Sequence, residues 1–117
     1  MLGFLRAIEV LQRQKNDVIK QMKKVSAEER KSLQMLLEDL DETINHLHLK
    51  VNEFLIYIRS TDRKLYRVIK KHYFENISWD SSVDDIDVDA DAYRKSISRA
   101  CKKYDLMSDT DKQTYIK

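Results

Sequence analysis

The sequence predicts an all-α protein in which a long antiparallel helical hairpin, of the coiled-coil kind, is followed by a small three-helix module. Two features of composition and pattern support this fold class. The 117 residues include one glycine and no proline, which are the residues that form most tight turns in β-proteins. Apolar residues make up 42% of the chain and charged residues 36%, and the apolar ones recur at helical spacing, as in long amphipathic helices.

A heptad seam marks the longer arm of the hairpin. A capping box precedes it at Ser26–Glu29, because a serine oxygen at the start of a helix can accept a backbone N–H of the first turn. This arm is therefore expected to begin near Ala27 and to run to about Arg59. Its apolar residues alternate four and three positions apart without a break: Leu33, Leu37, Leu40, Ile44, Leu47, Val51, Phe54 and Ile58.

The preceding arm repeats this seam and carries the opposite charge. Basic residues predominate in it, whereas acidic residues predominate between positions 28 and 42 of the second arm. Because only a short turn around Ser26 separates the arms, they are expected to pack antiparallel, with residues 15–24 facing the acidic half. Lys15 is the single polar seam position and is expected to fix the register. The seam positions are Phe4, Ile8, Leu11, Lys15, Val18, Met22 and Val25.

From Ser60 onward the spacing predicts three shorter helices. The first begins at Asp62, with Ser60 or Thr61 as its cap, and ends at Glu75–Asn76, since asparagine tolerates a left-handed C′ position. The other two are a short helix over Trp79–Ile86 that Ser78 caps, and a last main helix from Ala90 to about Tyr104 that follows the turn Asp87–Asp89, with Asp89 as its cap.

These elements divide the chain into three parts. Residues 1–60 form the coiled-coil hairpin, residues 61–105 form the three-helix module, and residues 106–117 form a polar C-terminal tail with at most one further turn. A tight turn between the second and third of three short helices is the layout of a helix-turn-helix.

Two stretches of the module strengthen this interpretation. The first is Lys71-His72-Tyr73-Phe74-Glu75-Asn76-Ile77-Ser78-Trp79, and the second is Tyr93-Arg94 followed by Ala100. Together with the apolar spacing over residues 65–104, they resemble the last DNA-binding region of sigma-70-type factors, and in particular phage late-transcription activators of the RinA and ArpU kind. The resemblance implies a sigma-like helix-turn-helix and a role in transcription regulation.

The charge of the last helix suits a duplex DNA partner. After its first turn it has five cations and no anion before Asp105, and the helix before it is basic as well. Lys and Arg at such positions neutralise phosphates, while side chains near the start of a recognition helix reach base edges. We expect the DNA contacts to be Arg94, Lys95, Ser98, Arg99, Lys102 and Lys103, with Arg67 and Lys70 from the preceding helix.

An aspartate-rich stretch supports a different hypothesis. Six aspartates and no basic residue fall between positions 80 and 91, a surface that would repel phosphate. They could instead engage a basic partner, such as RNA polymerase or a nucleic-acid enzyme whose DNA channel the protein would mimic. Helix-dipole stabilisation is the simpler explanation for some of them. The six are Asp80, Asp84, Asp85, Asp87, Asp89 and Asp91.

Catalysis is not expected. The only glycine is Gly3, so no glycine-rich phosphate loop exists, and no catalytic triad or metal-ligand spacing can be assembled; neither a cofactor nor a metal is expected. Cys101 and Trp79 are expected to be core residues, and His72 a surface residue.

The compartment and the oligomeric state follow from the same features. A single cysteine and the lack of a signal peptide or membrane span suit a cytoplasmic protein. The unpaired half of the long second helix could be covered by the module or by a second copy, so a homodimer through the coiled coil is open.

Overall fold

The computed structural model describes residues 1–83 and 89–116. It is 86% helical, and no strand occurs in these residues, so the all-α fold class is confirmed. A π-helical turn, Lys70–Phe74, continues α3. The α-helices are α1 Leu2–Met22, α2 Ala27–Thr61, α3 Arg63–Ile69, α4 Trp79–Ser82, α5 Ala90–Asp105 and α6 Asp109–Ile116. No described helix is both long and apolar enough to cross a membrane.

The turn of the hairpin lies where the capping box predicted it. Ser26 is the N-cap of α2, and its hydroxyl oxygen accepts the backbone N–H of Glu29 at 3.4 Å. Across the turn, the Arg30 Nε donates to the carbonyl of Met22 at 3.2 Å. These contacts satisfy backbone groups that helix ends would otherwise leave unpaired.

An ion pair between α1 and α2 shows how the two arms of the hairpin are aligned. The Lys15 ammonium lies 2.6 Å from Asp41 Oδ1, which confirms that the basic part of α1 faces the acidic part of α2. The pair is partly exposed, so it contributes only about 0.2–1 kcal/mol and selects an alignment more than it stabilises one.

Burial along the seam is uneven. Val51 and Phe54 are fully buried, while Leu37 and Leu40, nearer the turn, are half-buried. The prediction for Phe4 was wrong, because its side chain is 41% exposed and Leu5 is buried instead. The reason is that the module packs against the end of the hairpin remote from the Ser26 turn, here called the hairpin base. This packing shifts the buried face of α1 by one residue at that end.

A single hydrophobic core joins the hairpin base to the module. Phe54 packs edge-on against Tyr104 of α5, with ring centroids 5.2 Å apart, and Tyr57 contacts the same ring at 5.4 Å. The tail also takes part, since Tyr115 of α6 packs against Tyr57 at 4.8 Å. Thus α6 is a helix docked on α2, where the sequence suggested one weak turn at most.

The start of α3 differs from the prediction. Asp62 is the N-cap, and its carboxylate accepts the N–H of Leu65 at 3.1 Å. Ser60 and Thr61, the expected caps, still belong to α2, where their hydroxyls donate to carbonyls one turn earlier. An aspartate competes well for a cap position because its oxygens are strong acceptors.

One later boundary differs from the prediction: α4 ends at Ser82, with Val83 as its C-cap, rather than at Ile86. The other described boundaries agree with the sequence. Asn76 has φ 56°, the left-handed conformation predicted for it. Ser78 caps α4 and Asp89 caps α5, as expected. Residues 84–88, which were predicted to complete the short helix and to form the turn, lie outside the described residues.

Truncating the core at the hairpin base should be the most damaging change. We expect Phe54→Ala to lower the free energy of unfolding by about 3–5 kcal/mol, because a fully buried aromatic ring is lost. Leu40→Ala is the control and should cost clearly less, since Leu40 is half-buried. Urea denaturation followed by circular dichroism measures both; equal losses would contradict the uneven burial.

The buried thiol predicts an alkaline limit to stability. Burial raises the pKa of Cys101 from 9.0 to about 12, so the unfolded chain releases this proton at a lower pH than the folded chain. The stability contributed by the neutral thiol is complete below pH 9.0 and falls as pH rises towards 12. Cys101→Ala should flatten this decline in denaturation curves recorded across that range; an unchanged decline would assign it to other groups.

Candidate nucleic-acid interface

Helix α5 separates its apolar and cationic residues onto opposite faces. Its inner face buries Tyr93, Ile97, Cys101 and Tyr104 in the core. Its outer face is open to solvent and contains every DNA contact predicted on this helix: Arg94, Lys95, Ser98, Arg99, Lys102 and Lys103. Because the inner face anchors the helix, the outer face is held as a fixed basic surface.

Arg94 is the most constrained of these cations. Its guanidinium carbon lies 5.6 Å from the centre of the Trp79 ring, and its Nη1 lies 3.7 Å from Asp91 Oδ1. The Arg94 side chain nevertheless remains 59% exposed. A cation over an aromatic face is restrained without being neutralised, so Arg94 is oriented but still available to an anion.

The two predicted contacts from the preceding helix are in different surroundings. Arg67 is exposed, whereas Lys70 is half-buried, with its ammonium 4.9 Å from the centre of the Phe74 ring. Lys70 also lines a shallow cleft that it shares with Asn52 and Arg59 of α2. The structure therefore places Lys70, at the start of the π-helical turn, on the side that faces α2 and does not bring it together with the cations of α5.

Three of the six aspartates between positions 80 and 91 belong to the described residues. Asp80 is exposed in the first turn of α4, and Asp91 is exposed beside Arg94. Asp89 has a structural role, since its carboxylate accepts the N–H of Asp91 at 3.1 Å as the cap of α5. The remaining three, Asp84, Asp85 and Asp87, lie outside the described residues.

His72 is buried, so its assignment to the surface was wrong. Its side chain stacks on the Trp79 ring with centroids 3.7 Å apart, and its Nδ1 donates to the Ile77 carbonyl at 2.9 Å. The Nε2 lies 3.1 Å from Glu9 Oε1 of α1, at an angle that makes no directed hydrogen bond. The π-helical turn changes the direction of residues 70–74, which a regular helical pattern does not anticipate.

A polar cleft lies between α1, the π-helical turn and α5. Its volume is about 210 Å³, and its lining residues are Leu2, Arg6, Glu9, Tyr73, Trp79, Arg94 and Ser98. Of these, Arg94 and Ser98 were predicted as DNA contacts, whereas Arg6, Glu9 and Tyr73 were not. No local pattern in the sequence could have found them, because only the antiparallel return of α2 and the docking of the module bring α1 to α5.

Comparisons with family models, with curated proteins and with solved structures gave no match to this chain. Within the described residues, no group of three or more His, Cys, Asp or Glu side chains is arranged to hold a metal ion. The features on which a function can be argued are therefore the basic face of α5 and the cleft beside it.

The packing of His72 can be tested against a matched control. His72→Ala removes the stack on Trp79 and the shorter of the two hydrogen bonds to the Ile77 carbonyl, which keeps only the Ser82 hydroxyl at 3.4 Å, so unfolding should become easier by about 1–3 kcal/mol. His46→Ala, on the exposed side of α2, should change stability by less than about 0.5 kcal/mol. Chemical denaturation measures the free energy of unfolding of both variants. Equal losses would mean that His72 is not packed as described.

Proposed function

We propose that this protein binds duplex DNA through α5, as a transcription regulator of the phage type with a sigma-like helix-turn-helix. The observation that carries the proposal is the division of α5 into an anchored apolar face and an exposed face with five cations. A recognition helix needs both properties, since it must be rigid and must present donors to a polyanion.

The two ends of the exposed face suit different parts of a duplex. Arg94 and Lys95 lie near the start of α5, where recognition helices contact base edges, and Arg can form a bidentate pair with guanine. Lys102 and Lys103 lie in its last turn and suit phosphate contacts, which give affinity without sequence preference. Arg67 of α3 adds one more exposed cation to the basic module.

The proposal includes a second copy of the chain. Several large apolar side chains on the hairpin remain exposed, among them Met35 at 67% and Leu49 at 74%. Pairing of hairpins would cover such residues and would present two recognition helices to two half-sites. RNA polymerase is the further partner that a transcription regulator of this kind implies.

The competing hypothesis is a basic protein partner that binds the aspartates. Asp80 supports it, because its carboxylate is exposed and has no cation within ion-pair distance in residues 1–83 and 89–116. Asp89 supports it less, since capping of α5 already explains that residue.

Two substitutions on α5 should separate base contacts from phosphate contacts. We expect Arg94→Ala to weaken binding to a preferred duplex by about 1–3 kcal/mol and to reduce sequence preference. Lys102→Ala should weaken all duplexes similarly and lower the slope of affinity against salt by about one unit. Fluorescence anisotropy over a range of salt concentrations measures both effects. Loss of neither affinity nor salt slope would refute the role of α5.

Neutralising two aspartates distinguishes DNA from a protein partner. If α5 binds DNA, replacing Asp84 and Asp85 by Asn should leave duplex affinity unchanged or raise it, because the change removes negative charge that repels a polyanion. If the aspartates bind a basic protein, the same change should slow that association. The sign of the change in duplex affinity, measured beside an Asp39→Asn control on α2, is the deciding observation.

A further inference from the structure

The polar cleft between α1 and α5 has the side chains of an anion site. Arg6 enters it from α1, Arg94 and Ser98 from α5, and Tyr73 from the π-helical turn. These donors come from three elements and approach from several directions, which suits the tetrahedrally arranged oxygens of a phosphate group better than the planar pair of a carboxylate.

The donors of the cleft are available. In residues 1–83 and 89–116, no carboxylate lies within ion-pair distance of Arg6, and the Tyr73 hydroxyl makes no hydrogen bond. A buried tyrosine normally has a partner for its hydroxyl, so an unpartnered one that lines a cleft is an open donor. Burial raises the pKa of Tyr73 to about 12, so this hydroxyl keeps its proton at neutral pH.

The one carboxylate of the cleft is already engaged. Glu9 Oε1 lies 3.1 Å from an Arg13 nitrogen and 3.1 Å from His72 Nε2. Among residues 1–83 and 89–116, the carboxylate within ion-pair distance of Arg94 is that of Asp91, at 3.7 Å, and both partners of that pair are largely exposed. Exposed pairs of this length contribute little, so an incoming anion can replace Asp91 with small loss.

We propose that this cleft binds a phosphate group, held by Arg6 and Arg94 with the hydroxyls of Tyr73 and Ser98. The group can belong to a free phosphate compound or to the backbone of a duplex lying along α5. The site does not depend on DNA binding by α5, because a free phosphate compound would fill it in either case. It would link the hairpin to the module, since Arg6 belongs to one and Arg94 to the other.

Thermal unfolding with inorganic orthophosphate tests the site itself. At constant ionic strength, orthophosphate in place of chloride should raise the unfolding midpoint of the full chain in a saturable way, because a ligand of the folded state stabilises it. Arg6→Gln should weaken the apparent affinity roughly tenfold or more, as expected for a lost charged hydrogen bond. Tyr73→Phe should weaken it as well, with a smaller effect.

The matched control is Arg99→Gln, which removes an exposed cation of α5 that does not line the cleft. It should respond to orthophosphate like the unchanged chain. No greater stabilisation by phosphate than by chloride, or equal responses of Arg6→Gln and Arg99→Gln, would overturn the proposal.

Duplex titrations of Arg6→Gln identify the source of the phosphate group. If backbone phosphate occupies the cleft, this variant should lose about one unit of the salt slope for duplex binding, and orthophosphate should compete with duplex more strongly than chloride does. If a free phosphate compound is the ligand, duplex binding should be unchanged while the orthophosphate response is lost. Either result supports the site. Because Arg6 belongs to α1 and is not one of the proposed DNA contacts of α5, failure of the site is distinguished from failure of DNA binding by comparing Arg6→Gln with Lys102→Ala.

Discussion

The structure depends on the burial of the C-terminal half of α2. Two helices alone cannot surround a seam as wide as the one that includes Leu55 and Tyr57 besides Phe54 and Ile58, so further elements must cover it. Helices α3, α5 and α6 do so, and the hairpin base and the module thereby share one hydrophobic core. Nearer the Ser26 turn the hairpin has no such cover, and the seam residues Leu33, Leu37 and Leu40 are only half-buried there.

This constraint also positions the candidate interface. Ile97 and Cys101 of α5 enter the shared core, which turns the cationic residues of the same helix towards solvent. The charge pattern of α5 is therefore a consequence of packing as much as of composition, because any helix docked by one apolar face presents the other. Its rigidity follows from the same contacts, and a rigid basic helix is what recognition of a duplex requires.

The hairpin has a second consequence at the same end of the molecule. Its antiparallel return brings α1 beside the π-helical turn, where Glu9 lies 3.1 Å from His72 and Arg6 lines the same cleft as Arg94 and Ser98 of α5. An anion in that cleft would contact the two parts of the chain at once. Such an arrangement couples occupancy of the cleft to the way in which α1 and α5 pack, since both arginines must be correctly placed to hold one ligand.

Local patterns determined the helices and most of their ends. The heptad seam, the Ser26 cap, the left-handed Asn76 and the Asp89 cap each involve residues within a turn or two of one another, so a sequence contains all the information they need. The basic character of α5 is visible for the same reason. The proposed DNA contact at Lys70 shows the limit, because its placement against α2 depends on how α3 docks.

Three features depend on tertiary packing: the burial of Leu5 rather than Phe4, the burial of His72, and the existence of the cleft. Each depends on residues of α1 meeting residues of the module, which are far apart in the chain. Helical periodicity describes which side of one helix is apolar, but it does not say which element arrives at that side or at what angle. The helices of this protein and their charges thus follow from local sequence, whereas the cleft exists because α1 packs against the module.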